Sequence, residues 1–183
     1  MSHREPAAPS PFVLEHLPAA PPGPALDVAC GAGRHALAVA RTGRLVDAID
    51  RSWERCAELA RQAAAQRVPV RTVCADLELM PLPVRRYAVI VNSLYLERPL
   101  VPRLLRALAP GGVLLFETFT VDQLPSGHPR NPAFVLQPGE LLRLTAGLRV
   151  LAYREGPVER DGTRLHLASL AARVPLEGLP LGR

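Results

Sequence analysis

All 22 basic residues of this 183-residue chain are arginine, and the complete absence of lysine removes every mechanism that works through an amine nucleophile or a lysine base. With abundant Ala, Leu and Pro, this usage reads as a GC-rich coding bias. Cysteine is nearly absent too. Cys30, Cys56 and Cys74 are odd in number and form no C-x-x-C pair, which argues against a disulfide framework and against a zinc site. They read as small buried hydrophobes, and no metal site is expected. One Trp, three Tyr and four Phe leave few platforms on which bases could stack, and the arginines are scattered with no basic block. A nucleic-acid partner is therefore disfavoured despite the net charge of +5, and salt-dependent RNA binding would be its test. No apolar run is long enough to cross a bilayer, and the opening Met1-Ser-His-Arg-Glu has no apolar core of a secretory signal. No membrane association and a cytoplasmic location are expected.

What the chain does contain is one domain's worth of alternating strands and helices. Residues 1–24 read as a proline-rich lead-in, partly mobile, with one short helical turn over Phe12–Leu17; residues 25–176 form the domain and 177–183 a tail. Strands are expected at 25–28, 44–50, 70–76, 87–92 and 108–119, and helices at His35–Arg41, Trp53–Arg67, Pro99–Leu108 and Pro138–Ala146. Ser52 is placed to cap the second helix, with Arg55 standing where a capping-box acid would be. Two further alternating segments, 149–155 and 164–173, flank Asp161-Gly162, a hairpin turn. The expected fold is α/β: a doubly wound, seven-stranded, mostly parallel sheet with helices on both faces, closed by an antiparallel C-terminal hairpin.

The richest segment is Ala25-Leu-Asp-Val-Ala-Cys-Gly-Ala-Gly-Arg-His-Ala36, an apolar strand entering a small-residue turn and then a helix. Gly31 and Gly33 let backbone approach a ligand closely, and a helix starting there would turn its free N–H groups toward it. Asp27 at the mouth of the turn favours a ligand that brings positive charge and suits a diphosphate poorly. Gly31 to Ala36 also fits the dinucleotide pattern G-x-G-x-x-A, with Asp50 nineteen residues after Gly31, so an NAD-binding Rossmann oxidoreductase stays open on these residues alone. Asp50 ends a second strand, where its carboxylate can accept both hydroxyls of a ribose.

Leu26-Asp-Val-Ala-Cys-Gly-Ala-Gly33 resembles the first motif of class I S-adenosylmethionine-dependent methyltransferases, with Ala29 standing where Gly is common. The resemblance recurs in family order: Asp50, Asp76-Leu77 closing a third strand, the Tyr87–Asn92 strand, and the Leu108-Ala-Pro-Gly-Gly112 turn before a hydrophobic strand. Ala88 replaces an acid usual in the family. From Glu117 through Pro129-Arg-Asn-Pro132 to Tyr153 the chain is similar to the small tellurite-resistance-type branch. The resemblance implies S-adenosylmethionine as cofactor, held by Asp27, Ala29, Cys30, Gly31, Gly33, Asp50, Arg51, Asp76, Leu77 and Asn92. Asp76 would accept from the adenine amino group while Leu77 covers the ring.

It also implies a small-molecule methyl acceptor. Methyl transfer from a sulfonium is an in-line displacement that needs alignment more than acid or base, so the lack of a triad is no argument against catalysis. Ligands lie beyond the carboxyl ends of parallel strands, which nominates Tyr95, Glu97 and Arg98 after the fourth strand, Glu117 and Phe119 at the fifth, and Arg130 and His128 in the loop 120–137 that follows, whose role as a lid the sequence leaves open. Tyr95, Glu117 and Arg130 are the acceptor candidates; Glu117 reads equally as a strand-end acid paired with arginine. Asn92-Ser-Leu-Tyr95 departs from the Asn-Pro-Pro-Tyr of enzymes that methylate exocyclic amines. A monomer or homodimer is expected, and a catalytically silent S-adenosylmethionine-binding protein is the alternative that Ala29 and Ala88 suggest.

Overall fold

The computed structural model describes residues 8–177. Seven strands, β1 (Ala25–Val28), β2 (Val46–Asp50), β3 (Val70–Cys74), β4 (Tyr87–Ser93), β5 (Leu108–Phe119), β6 (Arg149–Arg160) and β7 (Thr163–Arg173), form one sheet in the order β3-β2-β1-β4-β5-β7-β6. The first five are mutually parallel, whereas β7 runs antiparallel to both β5 and β6. Strand order reverses between β1 and β4, and the crevice outside that reversal is where open α/β sheets take their ligands.

Central strands read as unbroken apolar runs because both faces are covered. Successive residues then supply opposite cores: Ile90 and Leu114 pack with Leu100 and Leu104 from one face, while Val89, Val91, Val113 and Leu115 pack with Ala36, Val39 and Ala40 from the other. The helices are α1 (Pro11–His16), α2 (Arg34–Ala40), α3 (Trp53–Gln66), α4 (Val101–Ala107) and α5 (Glu140–Leu144). In α3, Ser52 Oγ accepts the Arg55 N–H at 3.3 Å, and Cys56, Leu59 and Ala63 form the buried face.

The short helical turn expected over Phe12–Leu17 is α1, Pro11–His16. Proline at the first positions of α1 costs no hydrogen bond, and Phe12, Val13, Leu17 and Ala20 are buried in the core. Arg44 then ties the following segment down by donating to the carbonyls of Ala20, Pro21 and Gly23. Residues 1–7 and 178–183 lie outside the described residues. Among the described residues no helix is long and apolar enough to cross a membrane, and no cluster of His, Cys, Asp and Glu is arranged to hold a metal ion.

Candidate functional site

The carboxyl ends of β1, β2 and β4 open onto a trough with two halves. One, of about 350 Å³, is lined by Asp27, Gly31, Arg34, His35 and Ser93; the other, of about 390 Å³, by Asp50, Arg51, Asp76, Leu77 and Tyr95. Ala29 and Arg55 line both and form the waist. A larger hollow of about 600 Å³, between residues 22–24, 42–45 and Arg86, lies at the other end of the sheet, and its arginines are committed to carbonyls and to Asp47.

Two carboxylates organise the waist. Asp27 Oδ2 accepts the Ala36 N–H at 2.9 Å in the first turn of α2. Asp50 Oδ2 accepts the Gly31 N–H at 2.8 Å and its Oδ1 the Ser52 N–H at 2.9 Å. Gly33 donates to the Cys30 carbonyl, so the turn closes on itself. Of the first-turn N–H groups of α2, that of Ala36 is taken by Asp27, and a diphosphate placed here would face the negative charge of Asp50.

Burial pushes the Asp27 carboxyl up to about 7, against the pull of the Ala36 N–H and of Arg34. A cation beside it would draw the proton off. Burial also drives His35 down to about 3, and its Nε2 accepts the Ser10 N–H at 3.0 Å, so the ring is neutral and its lone pair is used. His35 is thus no general base at neutral pH. Cys30 is likewise inert, its thiol pushed up by burial and by Asp27.

Asp76 stands exposed beyond β3, with Oδ1 accepting the Glu78 N–H at 2.8 Å, and the buried Leu77 follows it into the same half. The structure therefore brings Asp27, Ala29, Cys30, Gly31, Asp50, Arg51, Asp76 and Leu77 together around one trough, with Tyr95 on the side of Asp50 and Asp76. Gly33 stands behind it: a Cβ there would come within 2.2 Å of Leu59, at a φ of 79° that favours glycine. Ala29 has φ 49°, the left-handed region that costs an L-residue about 1–2 kcal/mol. Ala29→Gly relieves that cost and raises unfolded-chain entropy by less. A stabilisation of about 0.5–1 kcal/mol is expected in urea unfolding; a loss of stability would show that the methyl packs favourably.

Three sequence-nominated residues fall elsewhere. Asn92 is 1% exposed, and its amide donates to the Tyr95 carbonyl at 2.7 Å, shaping the turn after β4 without lining the trough. Of the two roles read for Glu117, its surroundings are those of the strand-end acid paired with arginine: the residue is wholly buried and accepts from Arg160 at 2.6 Å, Ser169 at 2.7 Å and Arg154 at 3.4 Å. Burial alone would raise its carboxyl, but the Arg160 guanidinium outweighs it and holds the group below the ordinary range. Arg130 is exposed and lines neither half. The segment 120–137 packs on its own side: Leu136 pairs with Thr120, Val135 is buried with Phe119 and Leu167, and the His128 ring meets Phe119 edge-on at 6.2 Å. Arg98 pins it from β4's side, pairing with Glu140 and donating to the carbonyls of Ala133 and Val135.

Sequence reasoning missed Arg34, Arg55 and Ser93 as lining residues. A signal existed for Arg55, since three residues past the Ser52 cap place it in the first turn of a helix aimed at the glycine bend.

The sheet order, with its antiparallel closing strands, is a fold shared with solved S-adenosylmethionine-dependent methyltransferases. Residues 25–112 match the family model described as methyltransferase domain. The chain is 34% identical over 118 residues to the malonyl-[acyl-carrier protein] O-methyltransferase of Enterobacter lignolyticus (strain SCF1), a match taking in 62% of this chain and 45% of that protein. It thus spans under half the length of the curated relative it matches. Among solved structures, TehB from Haemophilus influenzae aligns with a TM-score of 0.75 at 21% identity, over 88% of this chain and 60% of that one. Geranyl diphosphate C-methyltransferase from Streptomyces coelicolor A3(2), solved with Mg2+, geranyl diphosphate and S-adenosyl-L-homocysteine, aligns at 0.67 and 21% identity, over 89% and 78%. At these identities the structural likeness is one of fold.

Proposed function

We propose that this chain binds S-adenosylmethionine along both halves of the trough and passes its methyl group to a small-molecule acceptor. The observation that carries this reading is the pair of carboxylates at the glycine bend, Asp27 on the Ala36 N–H and Asp50 on the Gly31 N–H, which fits a cationic ligand and opposes a diphosphate. Asp50 keeps a second lone-pair direction on each oxygen for ribose hydroxyls. Asp76 is available to the adenine amino group, Leu77 to the ring, and Asp27 to the positive methionine end. Bound there, the cofactor supplies an electrophilic methyl on a sulfonium. The protein's part is to hold the acceptor in line and keep water out, with no proton to move at His35 or Glu117. We place the chain in the cytoplasm, in keeping with three unpaired thiols.

The assay is release of S-adenosylhomocysteine from S-adenosylmethionine across a panel of small acceptors; cofactor binding without turnover on any of them favours the catalytically silent alternative. A pH dependence follows from Asp27. With its carboxyl near 7, binding a cation below that pH must expel a proton, so affinity for S-adenosylmethionine is expected to fall as pH drops, approaching tenfold per unit. Calorimetry between pH 5.5 and 8 checks this, and Asp27→Asn should flatten the profile. An unchanged slope in that variant would assign the dependence to another group.

A further inference from the structure

Two of the three cysteines meet beside the trough, and neither has a part in the mechanism above. Cys74 closes β3, and in the parallel register of β2 and β3 it stands opposite Asp50. Cys56 lies in the first turn of α3, which packs on both strands. Its Sγ reaches the carbonyls of Asp50 at 3.6 Å and Val73 at 3.7 Å, and Cys74 Sγ reaches that of Arg51 at 3.6 Å. Each thiol thus contacts the other's strand end, Cys56 the residue before Cys74, and Cys74 the residue after Asp50. The two act on each other as side-chain partners.

Their surroundings differ. Cys56 is 3% exposed, whereas Cys74 is open to solvent, so the reading of three buried thiols holds for Cys30 and Cys56 and fails for Cys74. Burial, and then Cys74, raise the Cys56 thiol above its ordinary range, which keeps it protonated and donating. An accessible thiol beside a sheltered one is the arrangement in which an oxidant attacks the first and the second resolves the product.

A bond between them would be felt in the trough. Asp50, Arg51 and Ser52 join β2 to α3, and Ala75, Asp76 and Leu77 follow Cys74; all six line the half beside Asp50. The Ala75 N–H donates at 3.0 Å to the same Asp50 carbonyl that Cys56 faces. A disulfide holds its sulfurs about 2 Å apart, well inside thiol contact, and has no hydrogen left to give a carbonyl. Forming one draws the end of β3 and the start of α3 together and releases the Arg51 carbonyl, in the two segments that carry Asp50 and Asp76.

We propose that Cys74 and Cys56 are a reversible oxidation site: hydrogen peroxide attacks through Cys74, Cys56 closes an intramolecular disulfide, and the oxidised chain holds S-adenosylmethionine less tightly. The effect on the cofactor rests on the function proposed above, whereas the disulfide does not. In the first step the Cys74 sulfur takes one peroxide oxygen, the O–O bond breaks, and a sulfenic acid and water form. In the second, the Cys56 sulfur attacks that sulfur, the S–O bond breaks, and the hydroxyl leaves with the Cys56 proton as a second water. Two thiols are oxidised and one peroxide is reduced. Transient disulfides of this kind are the ones a reducing compartment allows.

Cleavage after arginine places Cys30, Cys56 and Cys74 on separate fragments, 5–34, 56–61 and 72–85. The reduced chain is treated with a small excess of hydrogen peroxide and its fragments are identified by mass spectrometry. Affinity for S-adenosylhomocysteine is measured before treatment, after it, and after dithiothreitol. The expected result is a cross-link between 56–61 and 72–85 at the intact mass of one chain, with Cys30 still a thiol. Affinity should fall fivefold or more and return on reduction. Cys74→Ser should show neither change, and Cys56→Ala should stop at a sulfenic acid on Cys74 that dimedone traps. Three intact thiols after peroxide, a cross-link to Cys30 or between chains, or a disulfide that leaves affinity unchanged would overturn the proposal. Failure of the reduced wild type to bind S-adenosylhomocysteine would instead sink the cofactor reading, and the regulatory effect with it, whether or not the cross-link forms.

Discussion

Glu117→Ala is expected to cost the fold about 3–5 kcal/mol, the scale for removing one partner of a buried ion pair. Glu117 has no exposed surface and, among the described residues, is the only carboxylate within salt-bridge distance of Arg160, itself 8% exposed at the side chain. Deleting the acid strands a guanidinium that already has two nitrogens, Nε and Nη1, buried without a hydrogen-bond partner among the described residues. It also frees Ser169 on β7 and releases the tip of the β6–β7 hairpin from the end of β5. Glu117→Gln keeps one acceptor oxygen for Arg160 and loses the charge and the second acceptor, so it should lie between the wild type and the alanine variant. Urea unfolding measures both. A loss below about 1 kcal/mol for the alanine variant, the range of an exposed pair, would mean that Arg160 finds water or another acid.

Asp50→Ala is expected to weaken S-adenosylhomocysteine binding by about 1–3 kcal/mol, the range for hydrogen bonds to a charged group. That corresponds to roughly 5- to 150-fold in affinity. Two effects add in the same direction: ribose hydroxyls lose their acceptor, and the Gly31 and Ser52 N–H groups lose the carboxylate that fixes the bend and the start of α3. Asp50→Asn separates them, since one amide oxygen can still accept from one of those groups. Its expected loss is smaller, with thermal stability closer to the wild type. Unchanged affinity in Asp50→Ala would remove the residue from the site.

Much of this architecture was legible in the chain because its signals are local. Apolar runs ending in an acid mark β1 to β3, and Asp161-Gly162 marks the turn between β6 and β7. Boundaries drifted where the chemistry was less clear. The expected strand 149–155 runs on to Arg160, since Gly156 and Pro157 broke the pattern by which strands are read. The helix expected from Pro99 opens as a tight turn over Arg98–Leu100 and becomes α4 only at Val101. Pro138 precedes α5, which spans only Glu140–Leu144 after Gly139 in the left-handed region.

The site divides the same way. Asp27, Asp50, Asp76 and Leu77 sit at strand ends, where sequence position alone sets their place. Glu117 does too, but its role depends on Arg160, 43 residues on, and on Ser169. No local pattern announces that pairing. Asn92 turned inward because the Tyr95 carbonyl lay in reach, and Arg130 turned outward because the 120–137 segment anchors itself on Phe119 and Leu167.

The most direct measurement is a calorimetric titration of the purified chain with S-adenosylhomocysteine and, in parallel, with NAD. The expected result is one site for S-adenosylhomocysteine, weakened in Asp50→Ala, and no binding of NAD. Tight binding of NAD with none of S-adenosylhomocysteine would contradict a trough built for an adenosyl sulfonium.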